Sequence, residues 1–139
     1  YRMAIDRYLA EPAAYRFDPI WKTELESVSH RDYCTGYYFD DPMKNAQTVE
    51  NAGYVREKAY IGVVEAFDPI TRRASVIQRN KISAGEIAEL ISPGFPGKPF
   101  TVQNLRDEAG KPISSAPHPL MHFSLPLPFE AKAGDIIRK

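Results

Sequence analysis

Several scarcities bound what this chain does before any motif is considered. Cys34 is the single cysteine in 139 residues, so the chain forms no internal disulfide. A lone thiol suits a reducing compartment, and we expect a cytoplasmic protein. Charge of either sign is not in surplus: 18 Lys and Arg stand against 18 Asp and Glu. Without a global field to draw in a polyanion or an anionic membrane, any nucleic-acid contact must come from a local patch. No apolar run approaches the roughly 18 to 20 residues of a membrane span, and no basic-then-apolar leader opens the chain, so no membrane partner is expected. An initiator methionine is also missing. The first residues, "YRMAIDRYLA", read as the middle of a helix, which points to a piece of a longer protein.

What is present is ordinary for a folded soluble chain: 43% hydrophobic, 26% charged and 12% aromatic residues. The length allows one domain with a true core and a short appendage. Tyr1, Ala4, Ile5, Tyr8 and Leu9 recur at spacings of three and four, predicting a helix with one apolar stripe that Pro12 stops. That stripe has nothing in its own segment to pack on. In "FDPIWKTELESVS", Asp18 is placed to cap a second helix and Pro19 to occupy its first position. Trp21, Leu25 and Val28 then share a face, and the helix is expected to run to about Ser29.

From Tyr33 onward apolar and polar residues alternate between glycines and prolines, the texture of strands. Strands are predicted at Tyr33–Phe39, Tyr54–Phe67, Ala74–Arg79, Ile87–Ile91, Phe100–Leu105, Met121–Leu125 and Ile136–Arg138. Turns are expected at Asp68 and Pro69 and at Asp107–Lys111, with a polar surface loop over Asp40–Gly53. Many short strands with little helix between them predict a mainly β chain, a small antiparallel barrel or sandwich. "KISAGEIAEL" and "AKAGDIIRK" echo each other in the order small residue, glycine, acid, isoleucine, each glycine allowing a tight turn into a strand.

The richest stretch for chemistry is "SVSHRDYCTGYYFDD". Cys34 as nucleophile would need His30 as base and Asp32 to orient it, on one face of an extended segment. A helix ending near His30 and a strand beginning at Tyr33 breaks that alignment, leaving Cys34 an inert thiol. His30 suits a helix C-terminus, and Arg31 a solvated charge or ion pair; alternatively both face a phosphate or a neighbouring domain. Alternation places Tyr33, Thr35, Tyr37 and Phe39 on a core face, with Tyr38 on the other and free to stack a base. His118 and His122 stand four apart, but Pro117 and Pro119 exclude the helix that would aim both at one metal, so no metal site is expected. "IQRNK" with Arg72 and Arg73 is the best basic patch: Arg79 and Lys81 share a face and, with His30 and Arg31, make a candidate phosphate-binding surface.

Together, "ELESVSHRDYCTGYYFDDP", "QRNKISAGEIAELISPG", "DEAGKPISSAPHP" and "LPFEAKAGDIIRK" resemble the C-terminal domain of the peptidase U32 family, the collagenase-like proteases. The resemblance spans nearly the whole chain. It implies an N-terminal catalytic α/β barrel as partner, followed by a compact β-barrel similar to the second domain of translation elongation factors. Residues 1–30 would then be a helical lead-in from the catalytic part and residues 31–139 the barrel. It further implies a parent that is a peptidase or an RNA hydroxylase acting on ribosomal or transfer RNA, in some relatives with an iron–sulfur cluster held by cysteines of the catalytic part. One cysteine cannot supply such a cluster, so no cofactor and no catalysis are expected in this chain alone. Three roles remain open: an RNA-binding module, a peptide-binding module, and a purely structural domain.

Overall fold

In the computed structural model, residues 1–30, 33, 38, 39 and 58–139 are described. Two short helices lead in: α1 (Arg2–Ala10) and, after a 3₁₀ turn at Pro12–Ala14, α2 (Pro19–Glu26). Among the described residues nine strands follow: β1 (Tyr60–Asp68), β2 (Arg73–Gln78), β3 (Ile82–Ser83), β4 (Ile87–Ile91), β5 (Lys98–Thr101), β6 (Arg106–Asp107), β7 (Ser115–Ala116), β8 (His122–Pro126) and β9 (Ile136–Arg138).

Seven strands form one antiparallel sheet in the order β5-β4-β9-β1-β2-β8-β6, and β3 pairs with β7 separately. The two edge strands are joined by the short stretch 102–105, so the sheet must curl until its edges approach. The chain is therefore mainly β, a curled antiparallel half-barrel preceded by two helices. Alternate residues of the strands point inward: Ile61, Val64, Ala74, Val76, Leu90, Phe123, Leu125 and Ile137 meet Phe100, Val102 and Leu105 from the two edges in one core.

The local signals explain much of this. Asp18 accepts a hydrogen bond from the Ile20 N–H at 3.1 Å, and Pro19 opens α2, as the sequence predicts. Gly85 and Gly134 both take positive φ, +90° and +93°, in the turns entering β4 and β9. In each turn the following acid reaches back three residues: Glu86 Oε2 accepts from the Ser83 N–H and Asp135 Oδ2 from the Lys132 N–H, both at 2.9 Å. The echo in the sequence is thus a repeated turn, and the strands that leave the two turns pair with each other.

Other expectations need correction. α2 ends at Glu26 instead of Ser29, because Ser27 turns its hydroxyl onto the Glu24 carbonyl, so Val28 lies beyond the helix and half exposed. The strand expected at Phe100–Leu105 runs over Lys98–Thr101, and Asn104 at φ 47° breaks the extended backbone beyond it. Most of the strand expected at Tyr33–Phe39 lies outside the described residues, as do the loop Asp40–Gly53 and the residues before Lys58 in the strand expected from Tyr54. Tyr38 and Phe39 form a turn, and Tyr33 and Phe39 are 51% and 85% exposed, so neither is core. The two-residue strands β3, β6 and β7 carry too little alternation to be legible.

Candidate nucleic-acid interface

Two arginine-centred regions stand out, one closed and one open. The closed region joins α2 to the sheet. Arg138 on β9 is buried, and its three nitrogens each find an oxygen: Nη2 donates to Glu24 Oε2 at 2.7 Å, Nε to Glu89 Oε2 at 2.9 Å and Nη1 to Ser27 Oγ at 2.9 Å. Glu24 also accepts from the Gly97 N–H at 3.0 Å, and Lys58 Nζ sits 2.6 Å from both Glu89 oxygens. Burial pushes the Glu89 carboxyl up, but hydrogen bonds from Lys58 and Arg138 outweigh that and hold it below the usual glutamate value. Two cations and two carboxylates thus cancel, with Ser27 filling the remaining donor. Beside this seam a groove of about 450 Å³ is lined by Val28, Lys58, Tyr60, Ile91 and Ile136.

The open region is the outer face of β2, β8 and β6. Inward residues of β2 are buried, so Arg73, Ser75 and Ile77 point outward, and Arg79 is exposed just beyond the strand. Cross-strand register sets Ser75 beside Ser124 on β8 and Ser124 beside Arg106 on β6. Arg73 Nη2 leans across this row and donates to Asn104 O at 2.8 Å, Ser124 O at 3.0 Å and Ser124 Oγ at 3.2 Å. Burial, and secondly the neighbouring Arg106 charge, hold the Arg73 pKa below its usual value. Among the described residues no carboxylate lies at ion-pair distance from Arg73, Arg79, Lys81 or Arg106. One carboxylate lies on this face, where His122 Nδ1 meets Glu65 Oε2 at 2.8 Å.

The sequence-predicted residues fall as follows. Arg79 and Lys81 are exposed in the short segment between β2 and β3. His30 Nδ1 donates to the Val28 carbonyl at 2.8 Å, and its ring stacks on Tyr33 with centroids 4.7 Å apart. Tyr33 in turn donates its hydroxyl to the Leu25 carbonyl at 2.9 Å, folding this segment back on α2. Tyr38 is 89% exposed with its ring 6.4 Å from that of Phe39. Arg31 and Cys34 lie outside the described residues. Among the described residues no hydrogen bond or ion pair links His30 to Arg79 or Lys81, and no group of three His, Cys, Asp or Glu could hold a metal ion. His122 is engaged by Glu65, and His118 stands apart on the surface. Sequence reasoning missed Arg106 because only strand pairing brings it to Arg73.

Comparison with known proteins places this geometry. Residues 56–138 match the model of the peptidase family U32 C-terminal domain, and residues 1–48 match that of peptidase family U32. Over all 139 residues the chain is 26% identical to the tRNA hydroxylation protein P1 of Bacillus subtilis (strain 168), and it spans 33% of that protein's length. A selenomethionine crystal structure of the C-terminal domain of a Geobacillus thermoleovorans U32-family protein superposes with a TM-score of 0.56 at 27% identity, covering 58% of this chain and 99% of that one. A second crystal structure of that domain gives a TM-score of 0.54 at 26% identity, covering 56% of this chain and 88% of that one.

Proposed function

Since the chain belongs to the peptidase U32 family and carries its C-terminal domain, we propose that it is the substrate-positioning end of an RNA-modifying member, contacting tRNA and performing no chemistry alone. The observation that carries this reading is the whole-length similarity to a relative named for tRNA hydroxylation. The outer face supports it physically, because Arg73, Arg79, Lys81 and Arg106 offer cations to a phosphate backbone without carboxylates at ion-pair distance among the described residues. A chain of zero net charge then binds through one face instead of through its overall field.

An iron–sulfur cluster does not fit here. Such a cluster takes about four thiolates, and the chain has one cysteine. Any cluster would belong to a separate catalytic part.

The buried Arg138 network favours a supporting role as well. It fixes α2, which lies within the residues matching the family's main model, to the last strand of the C-terminal sheet. Orientation of the barrel relative to a catalytic domain would then be set by this seam.

The test is the mobility of a tRNA transcript in a gel with this chain. Three or four phosphate contacts predict a shift at about 50 mM salt and an affinity lower by roughly 30- to 100-fold at about 200 mM. No shift at the lower salt would overturn the RNA reading.

A further inference from the structure

We propose that Arg73 and Arg106 grip one phosphodiester of the bound RNA between them, over the Ser124 position of β8, a site that presupposes the tRNA reading above. Backbone pairing creates the juxtaposition. Ser124 is the cross-strand partner of Arg106, and the Arg73 head is hydrogen-bonded to both the carbonyl and the hydroxyl of the same Ser124. Cross-strand partners project on the same side about 4.5 to 5.5 Å apart, so the Arg106 side chain leaves the sheet beside the residue on which the Arg73 head rests.

Arg73 is held in advance. All three of its hydrogen bonds use Nη2, so among the described residues its Nε and Nη1 hydrogens have no acceptor. Fixing the side chain before the ligand arrives removes much of the ordering cost that an exposed arginine meets on binding. The Arg106 side chain is exposed and makes no hydrogen bond or ion pair with the described residues. Two like charges so placed repel, and none of the nearby described acids forms an ion pair with either. Asp68, the register partner of Arg73, gives its oxygens to the Ile70 N–H and the Thr71 hydroxyl at 2.9 and 2.6 Å. Asp107 accepts from the Lys111 N–H at 2.8 Å, Glu65 is occupied by His122, and Glu108 stays exposed on the turn. A singly charged anion with two free oxygens, which a phosphodiester is, fits the planar donor sets of two guanidiniums and cancels their repulsion. Arg79 and Lys81 have no such scaffold, so they attract a backbone without fixing its register.

The experiment titrates this chain against a fluorescent tRNA transcript by anisotropy at several salt concentrations, with Arg106→Gln, Arg73→Gln and the pair Arg79→Gln/Lys81→Gln. Arg106→Gln is the decisive variant, since Arg73→Gln also severs the ties to Asn104 and Ser124 and can unfold that edge. We expect Arg106→Gln to weaken binding about tenfold at about 50 mM salt and to lower the log–log salt slope by about one, with no fall in melting temperature. Wild-type affinity and slope in Arg106→Gln, together with weakening in the Arg79/Lys81 pair, would overturn the grip and leave the RNA reading standing. If the unmodified chain fails to bind tRNA at about 50 mM salt, the RNA reading falls and the grip falls with it.

Discussion

Arg138 and Arg73 sit on the same sheet and are treated in opposite ways. Arg138 is 5% exposed and meets two carboxylates and a hydroxyl, with Lys58 completing the charge balance. Arg73 is half-buried, meets only neutral oxygens, and has another arginine as its neighbour. A buried cation without carboxylates is costly, so the first arrangement is what a structural joint requires. A cation held in place without its counter-charge is what a site for an external anion requires. The contrast separates the part of the molecule that holds α2 from the part available to a ligand.

The largest effect should come from breaking the closed region. Arg138→Met leaves the partly buried Glu24 with the Gly97 N–H alone and Glu89 with Lys58 alone, and should cost about 2–4 kcal/mol, lowering the melting temperature by roughly 6–15 °C in thermal denaturation. Next, Gly97→Ala would place its Cβ 2.6 Å from Glu89 Oε2 and 2.9 Å from Arg138 Nη2, atoms held in the ion pair. Spreading that pair should cost about 1–3 kcal/mol by the same measurement.

Acid should act on the same joint. The Glu89 carboxyl is held below the ordinary 4.5, so its stabilisation is present above that value and is lost as pH falls through the lower folded value. Melting temperature should drop more steeply below pH 4.5 in the natural chain than in Glu89→Gln, which starts lower at neutral pH. The smallest stability effect belongs to the open region. Arg106→Gln should change folding free energy by no more than about 0.5 kcal/mol, without loss, because it removes a repulsion and no contact. A clear destabilisation there would erase the contrast between the two regions.

The legible parts of the fold were those whose chemistry is local. Asp18 and Pro19 announced the start of α2, and the glycine-acid echo announced two matching turns. The end of α2 was not legible, because Ser27 is held by Arg138, 111 residues away. The closed network itself had a readable trace. Glu89 and Arg138 each stand four residues after the echo's glycine, and these two positions are direct partners across β4 and β9. Opposite charges at equivalent places of a repeated turn-strand unit were the available signal. Arg79 and Lys81 were visible as a basic cluster, whereas Arg73 and Arg106 become one site only through β8 between them. The aromatic alternation misplaced Phe39 in the core because side-chain period 2 is informative only where the backbone is extended, and Tyr38 and Phe39 lie in a turn.

The most direct test of the central claim is the salt dependence of tRNA binding by the unmodified chain. A tRNA-positioning domain predicts a linear log–log plot with a slope of about −3, and a shallower one in Arg106→Gln. Absence of binding at about 50 mM salt, or binding that does not weaken as salt is raised, would contradict it.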